Sequence, residues 1–281
     1  MFAFRNKFFL TCILLSGFNS AIAQRWDFGA WFGGADYFGD LNTLTSFRFV
    51  NPAGGVLARY NVDDRVSFRA NIGAGHVWAD DQYSNAYVER IRNLGFSSNI
   101  FEASVQAEFN FIPFSNVFLS TYSEKQRYSP YILLGFSTFY FNPKVDYNGT
   151  TVELQPLGTE GQDLQGYTDL KKYKRVSTAL LIGGGIKYRI GRNFGLQFEA
   201  GVRKTSTDYL DDVSGNYVDP IVMLFERGEM TAFLADPSVA VLSEPIGVAG
   251  KMRGDNTKSD DYMFFGIGFI YTIKPYKCPY Q

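Results

Sequence analysis

The sequence predicts an all-β fold, an eight-stranded antiparallel up-and-down transmembrane β-barrel with short periplasmic turns and long extracellular loops. Three observations predict it. Apolar and polar residues alternate with a period of two over segments of about ten residues, the length that a tilted membrane-spanning strand needs. Eight such segments occur, and an even number returns both ends of a barrel to the same side. Short and long connections alternate between them.

The N-terminal residues have the pattern of a secretory leader. Arg5 and Lys7 precede the apolar run FFLTCILLSGF, and the small residues Ala21 and Ala23 follow it. This order of charge, apolar run and small-residue cleavage site is typical of exported proteins. We therefore assign residues 1–23 to a cleaved signal peptide, residues 24–281 to the barrel domain, and the protein to the bacterial outer membrane.

Composition excludes several classes of function. The 27 basic and 28 acidic residues nearly balance, so the chain has no electrostatic footprint for nucleic acid. After cleavage only Cys278 remains, which excludes an intramolecular disulfide. Beyond the leader, no apolar run approaches the roughly 20 residues of a spanning helix. Strands are therefore the elements that we expect to cross the membrane.

The eight segments differ in how clearly they alternate. In 101–111, six apolar residues alternate with Glu102, Ser104, Gln106, Glu108 and Asn110, a period that no helix face accommodates. Soluble sandwich strands usually stop at about five or six residues, so the length favours the membrane. In chain order, the predicted strands are 26–37, 54–62, 66–78, 101–111, 131–141, 180–190, 194–202 and 263–273.

The connections fix the orientation of the barrel. Residues 63–65 and 191–193 are three-residue turns, a size common in β-hairpins. Longer links lie near 39–50, 79–98, 142–176 and 204–260. In outer-membrane barrels the short turns are periplasmic and the long loops extracellular. The link 113–129 is an exception, because it is unusually long for the periplasmic side.

The alternation also predicts which charged residues face the lumen. Arg59 and Arg69 lie opposite each other across the first short turn, a costly pair unless Glu102 or Glu108 compensates it. An eight-stranded barrel is only wide enough for side chains to fill it, so we expect a salt-bridged plug and not a solute path. The predicted lumen charges are Arg59, Arg69, Glu102, Glu108, Lys187, Arg189, Glu199 and Arg203, beside the polar Asn71, Gln106 and Gln197.

Catalytic and metal-binding candidates are weak. The one histidine, His76, lies on the lipid-facing register two residues before Trp78, where an aromatic girdle is expected. Asp208, Asp211, Asp212 and Asp219 offer oxygen ligands, but they lack the spacing of a calcium loop, and a hydrogen-bonded turn is favoured. We expect no enzyme activity, no cofactor, no metal and no small-molecule substrate.

Several long motifs carry a family resemblance. GGADYFGDLN, RNLGFSSNIFEASVQAEFNFIPF, SPYILLGFSTFYFNPK, VELQPLGTEGQ and RKTSTDYLDDVSGNYVDP, with the closing strand, resemble PorG-type outer-membrane barrels of the Bacteroidota type IX secretion system. The resemblance covers nearly the whole mature chain. It implies a barrel on which the periplasmic ring of the secretion machine docks, a ring built from a lipoprotein and its partner, of PorK and PorN type.

The docking prediction rests on this resemblance and on the segments that face the periplasm. These are the link 113–129 and the tail after Ile273. The candidate docking residues are Tyr122, Glu124, Lys125, Arg127, Tyr276, Lys277 and Cys278. The alternative is a small barrel that handles lipid or a small solute and has no part in secretion. Residues 220–250 are more apolar than a solvated loop should be, and exposed apolar surface often marks an interface.

Overall fold

Eight long antiparallel strands form the wall of a closed barrel. The computed structural model describes residues 25–42, 47–114, 126–164, 166–167, 170–191, 193–242 and 244–273. Each wall strand pairs with the next, and pairing between the first and last completes the ring. The strands are β1 (Trp26–Phe38), β2 (Asn51–Asn61), β3 (Val66–Asp80), β4 (Gly95–Asn110), β5 (Tyr128–Tyr140), β6 (Lys144–Tyr147), β7 (Thr150–Glu153), β8 (Val176–Arg189), β9 (Phe194–Thr205) and β10 (Asp261–Thr272).

All eight predicted strands are confirmed as the wall strands, and among the described residues only β6 and β7 are strands outside the wall. Several strands are longer than predicted at their extracellular ends. β3 continues to Asp80 and β4 begins at Gly95, so the link between them is shorter than the predicted 79–98. The predicted leader 1–23 lies outside the described residues.

The short turns form as the spacing predicts. The Val62 N–H donates to the Val66 carbonyl at 3.0 Å, which leaves three residues in the turn. The Asp63 carboxylate stabilises it by accepting from the N–H groups of Arg65 and Val66 at 2.7 Å each. At the second turn, the Ile190 N–H donates to the Phe194 carbonyl at 3.1 Å. Aspartate in this role is common because its short side chain reaches backbone two residues ahead.

The two faces of the wall separate as the alternation predicts. Outward residues are apolar and exposed: Phe32 is 71 % exposed and Phe136 is 68 % exposed. Inward residues such as Arg69 and Glu108 are almost fully buried. An apolar exterior around a polar interior is the arrangement of a membrane barrel and the reverse of a soluble one.

The two longest extracellular links contain structure of their own. Residues 142–175 include the β6–β7 hairpin, which pairs with β4 through Ser97 and Lys144. Residues 206–260 include two short helices. In the part of the chain that the structure describes, the helices are α1 (Tyr87–Arg92), α2 (Pro220–Arg227) and α3 (Glu229–Ala235), and short 3-10 turns occupy Phe47–Phe49, Asp81–Tyr83 and Pro237–Ala240. No helix in the described part of the chain is long and apolar enough to cross a bilayer.

The core lies at the extracellular end of the barrel. Buried wall residues such as Ile100, Phe139 and Tyr262 form one cluster with Leu154 and Leu210 from the long links. We call residues 142–175 and 206–260 the cap, because they fold over the outer mouth. The barrel and the cap therefore share one continuous apolar core.

Candidate functional site

Glu108 is the centre of the periplasmic half of the lumen. Its carboxylate lies 2.8 Å from Arg59 Nε, 3.1 Å from Arg69 Nη1 and 2.6 Å from Lys187 Nζ. Arg59 and Arg69 are directly opposite each other on β2 and β3, so their like charges are brought together by the register. Glu108, on the next strand, compensates both. Since these side chains are at most 5 % exposed, water screens the charges very little.

A second carboxylate joins this cluster from the opposite wall. Glu199 on β9 lies 2.6 Å from Arg69 Nη1 and also accepts a hydrogen bond from the Tyr131 hydroxyl. Lys187 Nζ lies 4.7 Å from the centre of the Tyr131 ring, a cation–π contact. The network therefore links β2, β3, β4, β5, β8 and β9 across the lumen.

Glu102 forms a separate pair nearer the extracellular end. Arg203 Nε donates to Glu102 Oε2 at 2.8 Å, and the Tyr262 hydroxyl donates to the same oxygen at 2.8 Å. The Arg203 guanidinium also lies 4.7 Å from the centre of the Phe264 ring. Of the two carboxylates offered by the sequence as counter-charges for Arg59 and Arg69, Glu108 takes that role, and Glu102 pairs with Arg203 from across the barrel.

An aromatic side chain lies at the periplasmic mouth. Phe114 lines the end of the lumen together with Arg59 and Lys187. The Arg189 guanidinium is half-buried and lies 5.0 Å from the centre of the Phe114 ring. Arg189 is therefore at the mouth, below the carboxylate network.

Little free space remains inside the lumen. One cavity near Trp31 and Glu199 and another near Asp27 and Phe114 have volumes of about 20 Å³ each. A cavity of roughly 10–15 Å³ accommodates one water molecule. Neither cavity could admit a solute larger than water.

The extracellular mouth is held closed by buried polar contacts between wall and cap. The Tyr37 hydroxyl on β1 lies 2.6 Å from Asp211 Oδ2 and 3.0 Å from Asp260 Oδ1. A phenol donates a single hydrogen, so the second contact needs a protonated carboxyl. Burial raises the pKa of Asp260 well above its usual range, and the nearby Asp211 carboxylate raises it further. Burial is also the main cause of the raised pKa of Asp211.

Arg253 connects three parts of the cap. Its Nη1 lies 3.0 Å from Glu160 Oε1 and donates to the Asp212 carbonyl at 2.7 Å, while its Nε donates to the Ala235 carbonyl at 3.0 Å. The Glu160 carboxylate also accepts from the Ser214 N–H at 2.9 Å. This arginine begins the Arg-Gly-Asp tripeptide at 253–255, and it is buried.

Three of the four aspartates considered as metal ligands, Asp211, Asp212 and Asp219, accept intramolecular hydrogen bonds. Asp212 accepts from the hydroxyls of Thr159 at 2.5 Å and Tyr173 at 2.7 Å. Asp219 caps α2 by accepting from the Ile221 N–H at 2.8 Å. In the described ranges, no group of three or more His, Cys, Asp or Glu residues has the geometry of a metal site. Burial raises the pKa of Asp208 to about 7 and that of Asp212 to about 6.

Two other sequence candidates lie at the surface. His76 is half-buried on the outer wall, and its Nδ1 lies 2.8 Å from Asn99 Oδ1 on β4. Arg127 is exposed at the periplasmic end, where its carbonyl accepts from the Arg189 N–H at 2.7 Å. The other six docking candidates, Tyr122, Glu124, Lys125, Tyr276, Lys277 and Cys278, lie outside the described residues.

Residues 220–250 fold as part of the cap. Met223 of α2 is buried against Leu164 and Val218. The opposite side of α2 remains open, with Ile221 65 % exposed and Phe225 83 % exposed. The apolar character of this segment therefore has two origins, a buried face against the cap and an uncovered face.

The sequence also identifies the family. A family model described as Domain of unknown function (DUF6089) matches residues 6–220. The chain belongs to this family. No curated protein matches the sequence. The matched region extends over the wall strands β1 to β9 and into the cap as far as the start of α2.

Solved outer-membrane barrels are similar to this family member at low identity. Neisserial surface protein A is 11 % identical over 88 % of this chain and 97 % of its own, with a TM-score of 0.40. The N-terminal barrel domain of Pseudomonas aeruginosa OprF is 13 % identical over 88 % and 98 %, with a TM-score of 0.36. Ail of Yersinia pestis, in complex with a heparin analogue, is 8 % identical over 88 % and 97 %, with a TM-score of 0.39. The fold assignment here rests on the strand pairing of this chain itself.

Proposed function

We propose that this protein is a non-catalytic outer-membrane component of the type IX secretion system, where it anchors or docks the periplasmic ring. The chain reaches the outer membrane after cleavage of the leader 1–23. Its partners are the ring lipoprotein with its companion protein, of PorK and PorN type, and the lipid around the wall. Nucleic acid and small molecules are not among them, and no cofactor takes part.

The filled lumen is the observation that carries the scaffold part of this proposal. Arg59, Arg69, Lys187 and Glu108 occupy the centre of the barrel, and each of the two lumen cavities described above holds little more than one water. A barrel closed in this way can transmit force or position a partner, but it offers no route for a solute. This argues against the solute-handling alternative.

The secretion part of the proposal comes from the resemblance to PorG-type barrels. The periplasmic side is the side on which a ring must dock, and Arg127 is exposed there. The link 113–129 and the tail after Ile273 supply the remaining docking candidates. A barrel wall has few groups on this side apart from its turns, so a partner would bind these longer segments.

A pull-down tests the partnership directly. The tagged full chain, extracted from outer membranes with mild detergent, should recover a ring lipoprotein and its partner. A variant with Tyr122, Glu124 and Lys125 each changed to alanine should lose both proteins while keeping its folded mobility on unheated gels. The matched control variant changes Asp146 and Thr151 of the extracellular β6–β7 hairpin to alanine. This variant should recover both proteins as the wild type does. Recovery of no periplasmic protein by the folded wild-type chain would refute the proposal.

Deletion of the gene distinguishes the secretion proposal from the alternative function. If the protein handles lipid or a small solute, its deletion should change lipid composition or uptake and leave the ring intact. Under the secretion proposal, deletion should detach the ring from the outer membrane and leave uptake unchanged.

A further inference from the structure

A depression on the lipid-facing wall is not explained by the proposed function. It crosses β3, β4, β5, β8 and β9 and has a volume of about 800 Å³. Its floor is a single cross-strand row of mainly small residues. Ala103 lies opposite Thr138, Thr138 lies opposite Thr178, and the Thr178 carbonyl accepts from the Ser206 N–H at 2.9 Å.

Larger residues stand on both sides of this row. On the extracellular side, Phe101 and Tyr140 face each other across β4 and β5 and are 57 % and 38 % exposed. On the periplasmic side, Val105, Phe136 and Leu180 form the adjacent row. The floor is therefore a groove between two ridges, wide enough for an apolar chain to lie along it.

The groove descends into the membrane from one end. Ser206 directly follows β9, and Thr178 lies close to the extracellular start of β8. Ala103 and, opposite it, Ile72 lie well inside β4 and β3. A ligand in the groove would thus have one end at the extracellular interface and the other in the hydrocarbon region. This is the orientation of a lipid of the outer leaflet.

Positive charge is concentrated at the shallow end. The Lys204 side chain is 63 % exposed beside the groove, where it pairs with Asp261. An ammonium has three donors, so this pairing leaves Lys204 able to bind a second anion. Lys174 is exposed just above β8 and makes no ion pair among the described residues. Lysines at this level extend along the wall and hold their charge at the headgroups.

The floor also offers an unused polar group. The Thr138 hydroxyl is exposed on the lipid-facing side and has no hydrogen-bond partner in the described part of the chain. A hydroxyl in contact with hydrocarbon alone would lose the hydrogen bonds that it makes in water. An ester or hydroxyl oxygen of a lipid would satisfy it.

We propose that this groove binds one acidic lipid of the outer leaflet. Its acyl chain lies along Ser206, Thr178, Thr138 and Ala103, and its phosphate contacts Lys204. The occupant is the surrounding membrane lipid, because the groove faces that lipid and its charge complements an anionic headgroup.

Native mass spectrometry of the full chain in detergent tests this, with phosphatidylglycerol and phosphatidylcholine of identical acyl chains as probes. The wild type should retain one phosphatidylglycerol in preference to phosphatidylcholine. Lys204→Gln should weaken phosphatidylglycerol binding about fivefold, the factor for one lysine at an anionic lipid surface. Ala103→Leu should fill the groove and weaken both lipids.

Matched controls keep the test specific. Ala107→Leu lies on the same strand and the same lipid-facing side but outside the groove, and Lys258→Gln removes an exposed cap lysine. Both should bind as the wild type does. Equal affinities for Ala103→Leu and Ala107→Leu, with both folded, would overturn the proposal. The proposal would also be overturned if the wild type formed a dimer that Ala103→Leu alone dissociates, because a second copy of the chain would then occupy the groove.

Discussion

Replacing Glu108 with glutamine should destabilise the barrel more than any comparable change at the surface. The substitution keeps the shape of the side chain but removes the negative charge that lies within 3.1 Å of two arginines and a lysine. Glu199 still neutralises part of the positive charge of Arg69, whereas Lys187 loses its closest carboxylate. The remaining cations would face one another in a lumen that water does not fill.

The magnitude follows from the burial of the partners. Breaking a buried ion pair by removing one partner costs about 3–5 kcal/mol, because an uncompensated charge stays behind. We expect Glu108→Gln to lower the free energy of unfolding by at least about 3 kcal/mol. Adding Lys187→Met removes one of the stranded charges, so the double variant should recover about 1–2 kcal/mol of that loss.

Urea unfolding in lipid vesicles, followed by tryptophan fluorescence, measures these differences. The control is Glu153→Gln, whose carboxylate is 40 % exposed and pairs with Lys144 and Arg175. That change should cost less than about 1 kcal/mol, the usual range for a surface ion pair. A loss below about 1 kcal/mol for Glu108→Gln would refute the view that the buried network stabilises the lumen.

Three further predictions concern the lumen and the cap. In planar bilayers the purified protein should give no stable conductance, and reproducible open channels would contradict the filled lumen. Gly73→Ala places a methyl group 2.9 Å from Trp31 Cζ2, so it should lower the free energy of unfolding by about 1–3 kcal/mol, and Trp31→Phe should recover part of that loss in the same urea assay. The cap should loosen as pH rises, because Asp208, whose folded-state pKa is raised from 3.8 to about 7, binds its proton more tightly in the folded state. Its contribution is present below pH 3.8 and is lost as pH rises to about 7, so proteolysis of the cap should accelerate between about pH 4 and about pH 7. Asp208→Asn should reduce that acceleration, and an unchanged pH profile in this variant would exclude Asp208 as the cause.

The barrel wall could be predicted because the alternation of apolar and polar residues within each spanning strand reflects the two environments on either side of the wall. In β4, for example, the contrast between Phe101 and Glu102 depends only on which side of the wall each side chain faces. The short turns were predictable for the same reason, because the alternation in the strands before and after 63–65 determines how many residues are left for the turn. The opposition of Arg59 and Arg69 follows from that turn.

The contacts across the lumen and the folding of the cap could not be predicted in this way. Arg203 pairs with Glu102 from a strand that is not its neighbour, so local register carries no information about the contact. The β6–β7 hairpin and α2 are short elements stabilised by packing on the rest of the cap, and they have too few residues for periodicity to identify them. The burial of Arg253 depends on Glu160, a residue from a different link.

Cargo export in a deletion strain tests the proposed role most directly. The measurement is the amount of protein with a C-terminal sorting domain that reaches the medium or cell surface, with the wild-type gene restored as the control. The scaffold proposal predicts that export stops on deletion, returns with the wild-type chain, and also returns with the groove variant Lys204→Gln. Normal export in the deletion strain, with loss only of a lipid or nutrient phenotype, would contradict it.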